Sequence, residues 1–287
     1  MHFGVMFANT GHGSSPDGAV TIAQAAEAGG FDSIWTVEHV VVPSGYESAY
    51  PYDPSGKMAG GAEDFDLPDP LIWLAYVAAR TERIRLATGI LIVPQRNPVV
   101  TAKEVATLDH LSGGRMMLGV GAGWLAEEFA ALGVPFADRG RRLDEYVAVM
   151  RALWADDKAS FDGEYFSFTD CISRPRPVNG TVPIVVGGHS PAAARRAGRI
   201  GDAFFPGNGS IDELAEIFPL ARRAAEEAGR DPDDLSLIAG AFGKPGPGLD
   251  EHVERLAAIG VTHAIVPAFR SDTLTDVGRH LTATFPA

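Results

Sequence analysis

Eight short runs rich in apolar and β-branched residues alternate with eight helical patterns along this chain of 287 residues. The predicted strands are His2–Phe7, Ser33–Val37, Ile84–Ile92, Met116–Val120, Pro183–Val186, Ala203–Phe205, Leu235–Ala241 and His263–Pro267. The predicted helices are Pro16–Ala28, Pro70–Ala79, Pro98–Leu111, Arg139–Trp154, Pro191–Ile200, Ile211–Ala228, Leu249–Ile259 and Asp272–Thr284. Regular alternation of this kind predicts parallel βα units. Eight units in a chain of this length favour an α/β fold of the (β/α)8 TIM-barrel type over an open doubly wound sheet, with residues 1–287 forming a single domain.

Two insertions interrupt the alternation. Residues 40–69 follow the second strand and are rich in Pro, Gly, Tyr and Ser. In a barrel this insertion lies at the C-terminal ends of the strands, where active sites are built, so we expect it to form a lid or to shape a substrate pocket. Residues 155–181 precede the fifth strand and contain a predicted hairpin at Gly163–Phe168.

Composition restricts the classes of partner. A formal net charge of −13 argues against a general affinity for nucleic acids or acidic membranes. Apolar runs do not reach membrane-spanning length, the first residues do not resemble a signal peptide, and the single cysteine, Cys171, cannot form an intramolecular disulfide. We therefore expect a cytoplasmic protein. Metal hydrolysis and acyl transfer are minor alternatives and no metal is expected, because the chain lacks a His-Glu-x-x-His motif and a Gly-x-Ser-x-Gly motif.

The fifth predicted strand runs through Gly187, Gly188, His189 and Ser190 directly into the helix at Pro191. These four residues are called the phosphate loop below. Two glycines allow a ligand to approach the backbone closely, Ser190 is well placed to cap the helix, and N–H groups at a helix start favour anions. The pattern predicts a binding site for a phosphate or a similar anion.

Three further features lie near strand ends. His39, with Glu38 beside it, follows the second strand and is a candidate acid or base, although a structural histidine fits the same pattern. Gly89 interrupts the third strand, as at a bulge or at the close approach of a ligand, and a packing glycine is the alternative. Gly121, Ala122 and Gly123 follow the fourth strand and offer a small surface for a flat ring. They do not form the dinucleotide fingerprint, because Trp124 stands where that motif needs Gly or Ala.

Taken in order, these motifs resemble the luciferase-like monooxygenase superfamily, most closely the branch of oxidoreductases that use the deazaflavin coenzyme F420. The segments that carry the resemblance are Trp35–His39, Thr88–Ile90, Leu108–Arg115, Gly119–Trp124 and Gly187–Ser190. The resemblance implies a TIM barrel with the cofactor ring at the C-terminal ends of the strands and the cofactor phosphate on the phosphate loop. It also implies a cis peptide bond between Gly89 and Ile90.

Residue by residue, the resemblance implies that His39 is the catalytic residue. The implied cofactor-binding residues are Thr88, Gly89, Ile90, Gly121, Ala122, Gly123, Gly187, Gly188, His189 and Ser190. Related sugar-phosphate dehydrogenases carry glutamate at the position of Trp124, which disfavours that substrate here. A homodimer is expected, with apolar stripes at Val99–Leu108 and Val147–Trp154 as candidate contacts.

The leading hypothesis from the sequence is an oxidoreductase that transfers a hydride between F420 and an unidentified small organic molecule. One alternative is a monooxygenase that uses reduced FMN supplied by a separate reductase, since FMN also presents a phosphate. A second alternative is a flavin-binding protein without turnover.

Overall fold

Eight parallel strands close into a barrel in the computed structural model, which describes residues 1–207 and 209–286. The barrel strands are β1 (His2–Met6), β2 (Ser33–Thr36), β3 (Arg85–Thr88), β4 (Met116–Gly121), β5 (Ile184–Gly187), β6 (Ala203–Phe205), β7 (Ser236–Gly240) and β8 (His263–Pro267). Each strand pairs with its neighbours in chain order, and β8 pairs with β1 to complete the circle. The predicted TIM barrel is therefore confirmed.

Helices surround the barrel. They are α1 (Pro16–Ala28), α2 (Pro70–Ala78), α3 (Pro98–Leu111), α4 (Ala126–Ala131), α5 (Arg139–Ala155), α6 (Pro191–Ile200), α7 (Ile211–Glu227), α8 (Pro247–Ala258) and α9 (Ser271–Thr284). Short 3-10 turns occupy Gly11–Ser14, Met58–Gly61, Val93–Gln95 and Pro232–Asp234. The short helix α4 was not predicted, because six residues are too few to show helical periodicity. Within the described ranges, no helix is long and apolar enough to cross a membrane.

The third strand is interrupted, and this confirms the break that the sequence pattern predicts at Gly89. It stops at Thr88, and the chain resumes an extended course at Leu91–Ile92, which pairs with the end of β4. The intervening peptide bond between Gly89 and Ile90 is cis, as the family resemblance implied. Gly89 is glycine because a Cβ there would lie 2.9 Å from the Met6 side chain and 3.1 Å from the Trp35 ring.

Two predicted surface features have different outcomes. The hairpin before β5 is confirmed, with antiparallel strands Ala159–Asp162 and Ser167–Cys171. The apolar stripe at Val147–Trp154 is buried against the barrel and is not available to a partner. Val99 and Val100, at the start of α3, remain exposed. A homodimer stays a prediction.

Inside the barrel, a small polar network lies among the apolar side chains. The Ser33 hydroxyl accepts a hydrogen bond from Trp35 Nε1 at 2.8 Å and lies 2.9 Å from His263 Nε2. Gly4 leaves room for this contact, since a Cβ there would lie 2.6 Å from Ser33 Oγ. Burial lowers the pKa of His263 to about 3, so the ring is neutral at ordinary pH.

This network makes stability depend on pH. The unfolded chain protonates His263 near pH 6.5, whereas the folded protein resists protonation until about pH 3. Stability is therefore lost as the pH falls from 6.5 toward 3, by up to about 1.4 kcal/mol per pH unit from this group. In guanidinium unfolding measured between pH 7 and pH 4.5, the free energy of unfolding of His263→Gln should fall less steeply with decreasing pH than that of the wild type. His110→Gln, at an exposed position, should follow the wild type. Equal slopes for all three proteins would contradict the assignment.

Candidate active site

A cleft of about 720 Å³ opens at the C-terminal ends of the barrel strands. Loops after β1 to β5 and the insertion at residues 40–69 form its walls, as expected from the position of that insertion. The predicted site residues that line the cleft are His39, Gly89, Ile90, Gly121, Ala122, Gly123, Gly187, Gly188, His189 and Ser190. Segments far apart in the chain therefore meet in one cavity.

Thr88 is the exception. Its side chain is fully buried, and its hydroxyl donates a hydrogen bond to the Gly119 carbonyl oxygen at 2.7 Å. The side chain thus links β3 to β4 and does not line the cleft, and a contact between Thr88 and the cofactor stays a prediction. A sequence pattern identifies the end of a strand but not which way its last side chain points.

His39 is held by a carboxylate that the sequence reasoning missed. His39 Nδ1 lies 2.9 Å from Glu128 Oε2, and the side chains of His39 and Glu128 are 11% and 0% exposed. The other oxygen of Glu128 accepts the N–H groups of Val40 at 2.6 Å and Val41 at 3.3 Å. Glu128 lies on α4, and the only hint in the sequence is its position in an acidic pair after Trp124-Leu125.

The bond to Glu128 determines what His39 can do. Because a carboxylate only accepts hydrogen bonds, Nδ1 must carry the proton, which leaves Nε2 with the lone pair in the neutral ring. Nε2 has no hydrogen-bond partner in residues 1–207 and 209–286. The Trp124 ring packs edge-on against the imidazole, with centroids 5.6 Å apart at 84°. His39 therefore presents one oriented nitrogen that can take up or return a proton.

Glu38, the neighbour of His39 in the chain, makes its contacts elsewhere. Successive side chains on an extended segment point in opposite directions, and Glu38 is buried against Arg96 and the N–H of Ile92. Arg96 also donates to Asp69 at 2.7 Å. Burial raises the pKa of Glu38, and the Arg96 charge opposes that rise. This cluster joins the start and the end of the insertion at residues 40–69, so its role is structural.

Glu127, the other member of the acidic pair, holds the middle of the insertion at residues 40–69. Glu127 Oε1 accepts the N–H groups of Glu47 at 2.8 Å and Ser48 at 3.0 Å. Ser48 Oγ in turn accepts the Ala126 N–H at the start of α4. Hydrogen bonds from Ser48 and Glu47 lower the pKa of Glu127 to about 2. The short helix α4 therefore fixes both His39 and the insertion.

An aromatic wall runs along the cleft from His39 to the phosphate loop. It consists of Trp124, Tyr50 and Tyr52, whose successive ring centroids lie 5.2 Å and 5.4 Å apart. Tyr52 reaches the His189 ring at 5.0 Å, and burial raises the pKa of Tyr52 to about 12. The tyrosine hydroxyls thus stay neutral, and the wall is an uncharged surface.

Ile90 lines the floor of the cleft together with Gly121–Gly123. Cβ atoms at Gly121 or Gly187 would collide with the Ile90 side chain, which lies over both glycines. Gly123 has φ +83°, and a Cβ there would lie 2.7 Å from the Phe129 ring. Glycine is required at these positions for packing, and Ile90 supplies apolar surface in the cleft.

The phosphate loop keeps unused donors. Ser190 Oγ accepts the Ala193 N–H at 3.2 Å, which confirms the predicted cap of α6. The N–H groups of His189, Ser190 and Ala192 donate to no other residue that the structure describes. Gly188 has φ +112°, which glycine alone adopts readily. Arg139 and Arg196, which the sequence reasoning did not single out, line the same end of the cleft.

Known proteins resemble this chain along most of its length. An uncharacterised protein of Mycobacterium tuberculosis is 35% identical over 249 residues, which cover 86% of this chain and 83% of that protein. An F420-dependent glucose-6-phosphate dehydrogenase of Nocardia farcinica is 37% identical over 230 residues, 78% of this chain and 63% of that protein. The coenzyme F420 dependent tetrahydromethanopterin reductase of Methanopyrus kandleri superposes with a TM-score of 0.80 at 17% identity, covering 99% of each chain.

The structural likeness at 17% identity supports the fold. The relatives that are 35% and 37% identical show in addition that the chain shares a family with them. The sequence pattern that defines the family described as luciferase-like monooxygenase matches residues 1–273. With the barrel and the cleft described above, this match shows that the chain is an oxidoreductase-type member of the luciferase-like monooxygenase family.

Proposed function

We propose that this protein is an oxidoreductase that transfers a hydride between coenzyme F420 and a small organic substrate. The observation that carries the proposal is the arrangement of the two ends of the cleft. At one end His39 presents a free Nε2, and at the other the phosphate loop presents unused N–H groups. The 37% identical relative from Nocardia farcinica is named for F420 dependence, which favours this cofactor.

The residues present fit such a cofactor. Unused N–H groups at the start of a ten-residue helix suit a phosphate, and two guanidinium groups line the cleft beside them. Ile90 and the aromatic wall leave an apolar slot between the phosphate loop and His39 that suits a flat ring. When bound, F420 supplies a ring carbon that accepts or donates a hydride.

The chain's own residues handle the proton. In the direction of oxidation, His39 Nε2 would accept the proton of a substrate hydroxyl while the carbon that bears this hydroxyl gives up its hydride to the bound cofactor, and in reduction His39 would return that proton. The Glu128 carboxylate stabilises the positive ring that forms. The aromatic wall packs beside His39 and limits its exposure to water, so that its side chain is 11% exposed.

An FMN-dependent monooxygenase is the second candidate. It is favoured by the family's description as luciferase-like monooxygenase, and the unused N–H groups of the phosphate loop suit the FMN phosphate equally well.

Titration with both cofactors tests the proposal. We expect F420 binding to quench the fluorescence of the cofactor or of the protein, with a dissociation constant below about 10 µM. Reduced FMN should bind much more weakly under the same anaerobic conditions. Tight FMN binding without F420 binding, accompanied by oxygen uptake, would overturn the proposal in favour of the monooxygenase.

Substitutions at the His39–Glu128 pair test the proton transfer. His39→Gln should lower kcat by about 10²-fold to 10⁴-fold and leave F420 affinity unchanged. Glu128→Gln should lower kcat by about 10-fold to 100-fold, because the amide donates to Nδ1 and forces the proton onto Nε2. The assay measures the reduction of F420 by the wild type and by each variant. Its substrate is whichever of propan-2-ol, cyclohexanol and benzyl alcohol the wild type oxidises fastest.

Glu127→Gln is the matched control, since it touches the insertion but not His39. It should keep kcat within about threefold of the wild type. If Glu127→Gln and Glu128→Gln reduce kcat equally, Glu128 acts through the insertion and not through the tautomer of His39.

A further inference from the structure

The cleft is also lined by residues of the first turn of α5 and of one side of α6. We call this part of the cleft the arginine groove, and its lining residues are Arg139, Ala193 and Arg196. It belongs to the same cavity as His39 and the phosphate loop. The proton transfer described above makes no use of it.

The arginine groove is positively charged in a protein whose net charge is −13. The arginines on the two helix segments are Arg139, Arg141, Arg142, Arg195, Arg196 and Arg199. The carboxylates that pair with them are Asp138, Asp144 and Glu164. Positive charges therefore outnumber their acidic partners at this corner of an otherwise acidic molecule.

Arg139 lacks a carboxylate partner among the described residues. Its Nε donates to the Gly123 carbonyl oxygen at 3.0 Å, and its Nη1 donates to the Phe136 carbonyl oxygen at 3.1 Å. The guanidinium also lies 3.7 Å from the centre of the Phe136 ring. These contacts fix its position and leave Nη2 without a hydrogen bond to any described residue. Arg139 is thus an oriented cation with an unused donor.

Arg196 lies close to Arg139. Its Nη2 donates to the Gly140 carbonyl oxygen at 3.1 Å, next to Arg139 in the chain, and its side chain is 13% exposed. Asp144 pairs with Arg196 through one oxygen and with Arg199 through the other, at 3.3 Å. One carboxylate therefore serves two guanidinium groups. Burial and the charge of Arg196 lower the pKa of Arg139, as two neighbouring cations require.

We propose that the arginine groove binds a carboxylate-bearing tail that extends beyond the phosphate of the cofactor, with Arg139 and Arg196 as its ligands. Guanidinium groups fixed by backbone carbonyls are suited to carboxylates, because they form paired hydrogen bonds without reorganising. FMN ends at its phosphate, whereas F420 continues through a phosphodiester into lactate and glutamates. The inference rests on the proposed function and gives it a structural reason for the choice of cofactor.

Fluorescence titration with deazaflavins of different tail length tests this proposal. The probes are F420 with several glutamates, F420 with one glutamate, and the deazaflavin that lacks phosphate and tail. The wild type should bind the longer tail more tightly, and the difference should shrink at high salt. Arg139→Gln and Arg196→Gln should each weaken binding of the long-tailed form about tenfold and leave the tail-less form unchanged.

Two further variants serve as controls. Arg141→Gln, in the same turn of α5, removes an exposed arginine that pairs with Glu164 and does not line the cleft, so all three affinities should stay at wild-type values. Arg139→Lys should recover part of the tail-dependent affinity, because it restores the charge without the planar fork. The melting temperature of each variant shows whether it is folded.

The outcomes separate the two proposals. If F420 binds tightly but affinity is independent of tail length, or if Arg139→Gln weakens the tail-less probe equally, the groove proposal is wrong while the proposed function stands. If no deazaflavin binds, the proposed function fails and the groove proposal fails with it.

Discussion

The buried carboxylate of Glu128 is the interaction on which the rest of the site depends. A carboxylate that is fully removed from water is costly unless hydrogen-bond donors surround it. Here the donors are His39 Nδ1 and the N–H groups of Val40 and Val41. The same group therefore orients His39 and fixes the point where the insertion leaves the barrel. The position of His39 and the position of the insertion are thus coupled through a single side chain on a six-residue helix.

The barrel explains why the cleft has two chemically different ends. Strand ends bring the loops after β2 and β5 to the same face, with the floor made by Ile90 at the break in β3. The His39 end is enclosed by the aromatic wall and carries one oriented nitrogen. The phosphate-loop end carries unused N–H groups and guanidinium groups. A molecule with a flat apolar head and an anionic tail matches this gradient of polarity.

Much of the fold and part of the site could be predicted from the sequence. The eight βα units, the Ser190 cap and the position of His39 follow from local patterns, because strand and helix ends leave signals in adjacent residues. Side-chain direction leaves no such signal. Thr88 and Glu38 both stand at strand ends, but one turns toward β4 and the other toward Arg96.

The residues that sequence reasoning missed act through contacts between distant segments. Glu128 lies 89 positions from His39, and Arg196 lies 52 positions from Asp144. The glycines Gly121 and Gly187 are explained by the Ile90 side chain, which no local pattern connects with them. Only the closed barrel brings these groups together.

The central claim is that Glu128 holds the Nδ1–H tautomer of His39 and leaves Nε2 free to act as a base. The direct measurement is the ¹⁵N chemical shift of both ring nitrogens, by long-range ¹H–¹⁵N NMR of the histidine-labelled protein. The His39→Gln spectrum identifies the His39 signals among those of the eight histidines. The account predicts a protonated Nδ1 and an unprotonated Nε2 in the wild type at neutral pH, and the reverse in Glu128→Gln. A wild-type ring protonated only at Nε2 would contradict it.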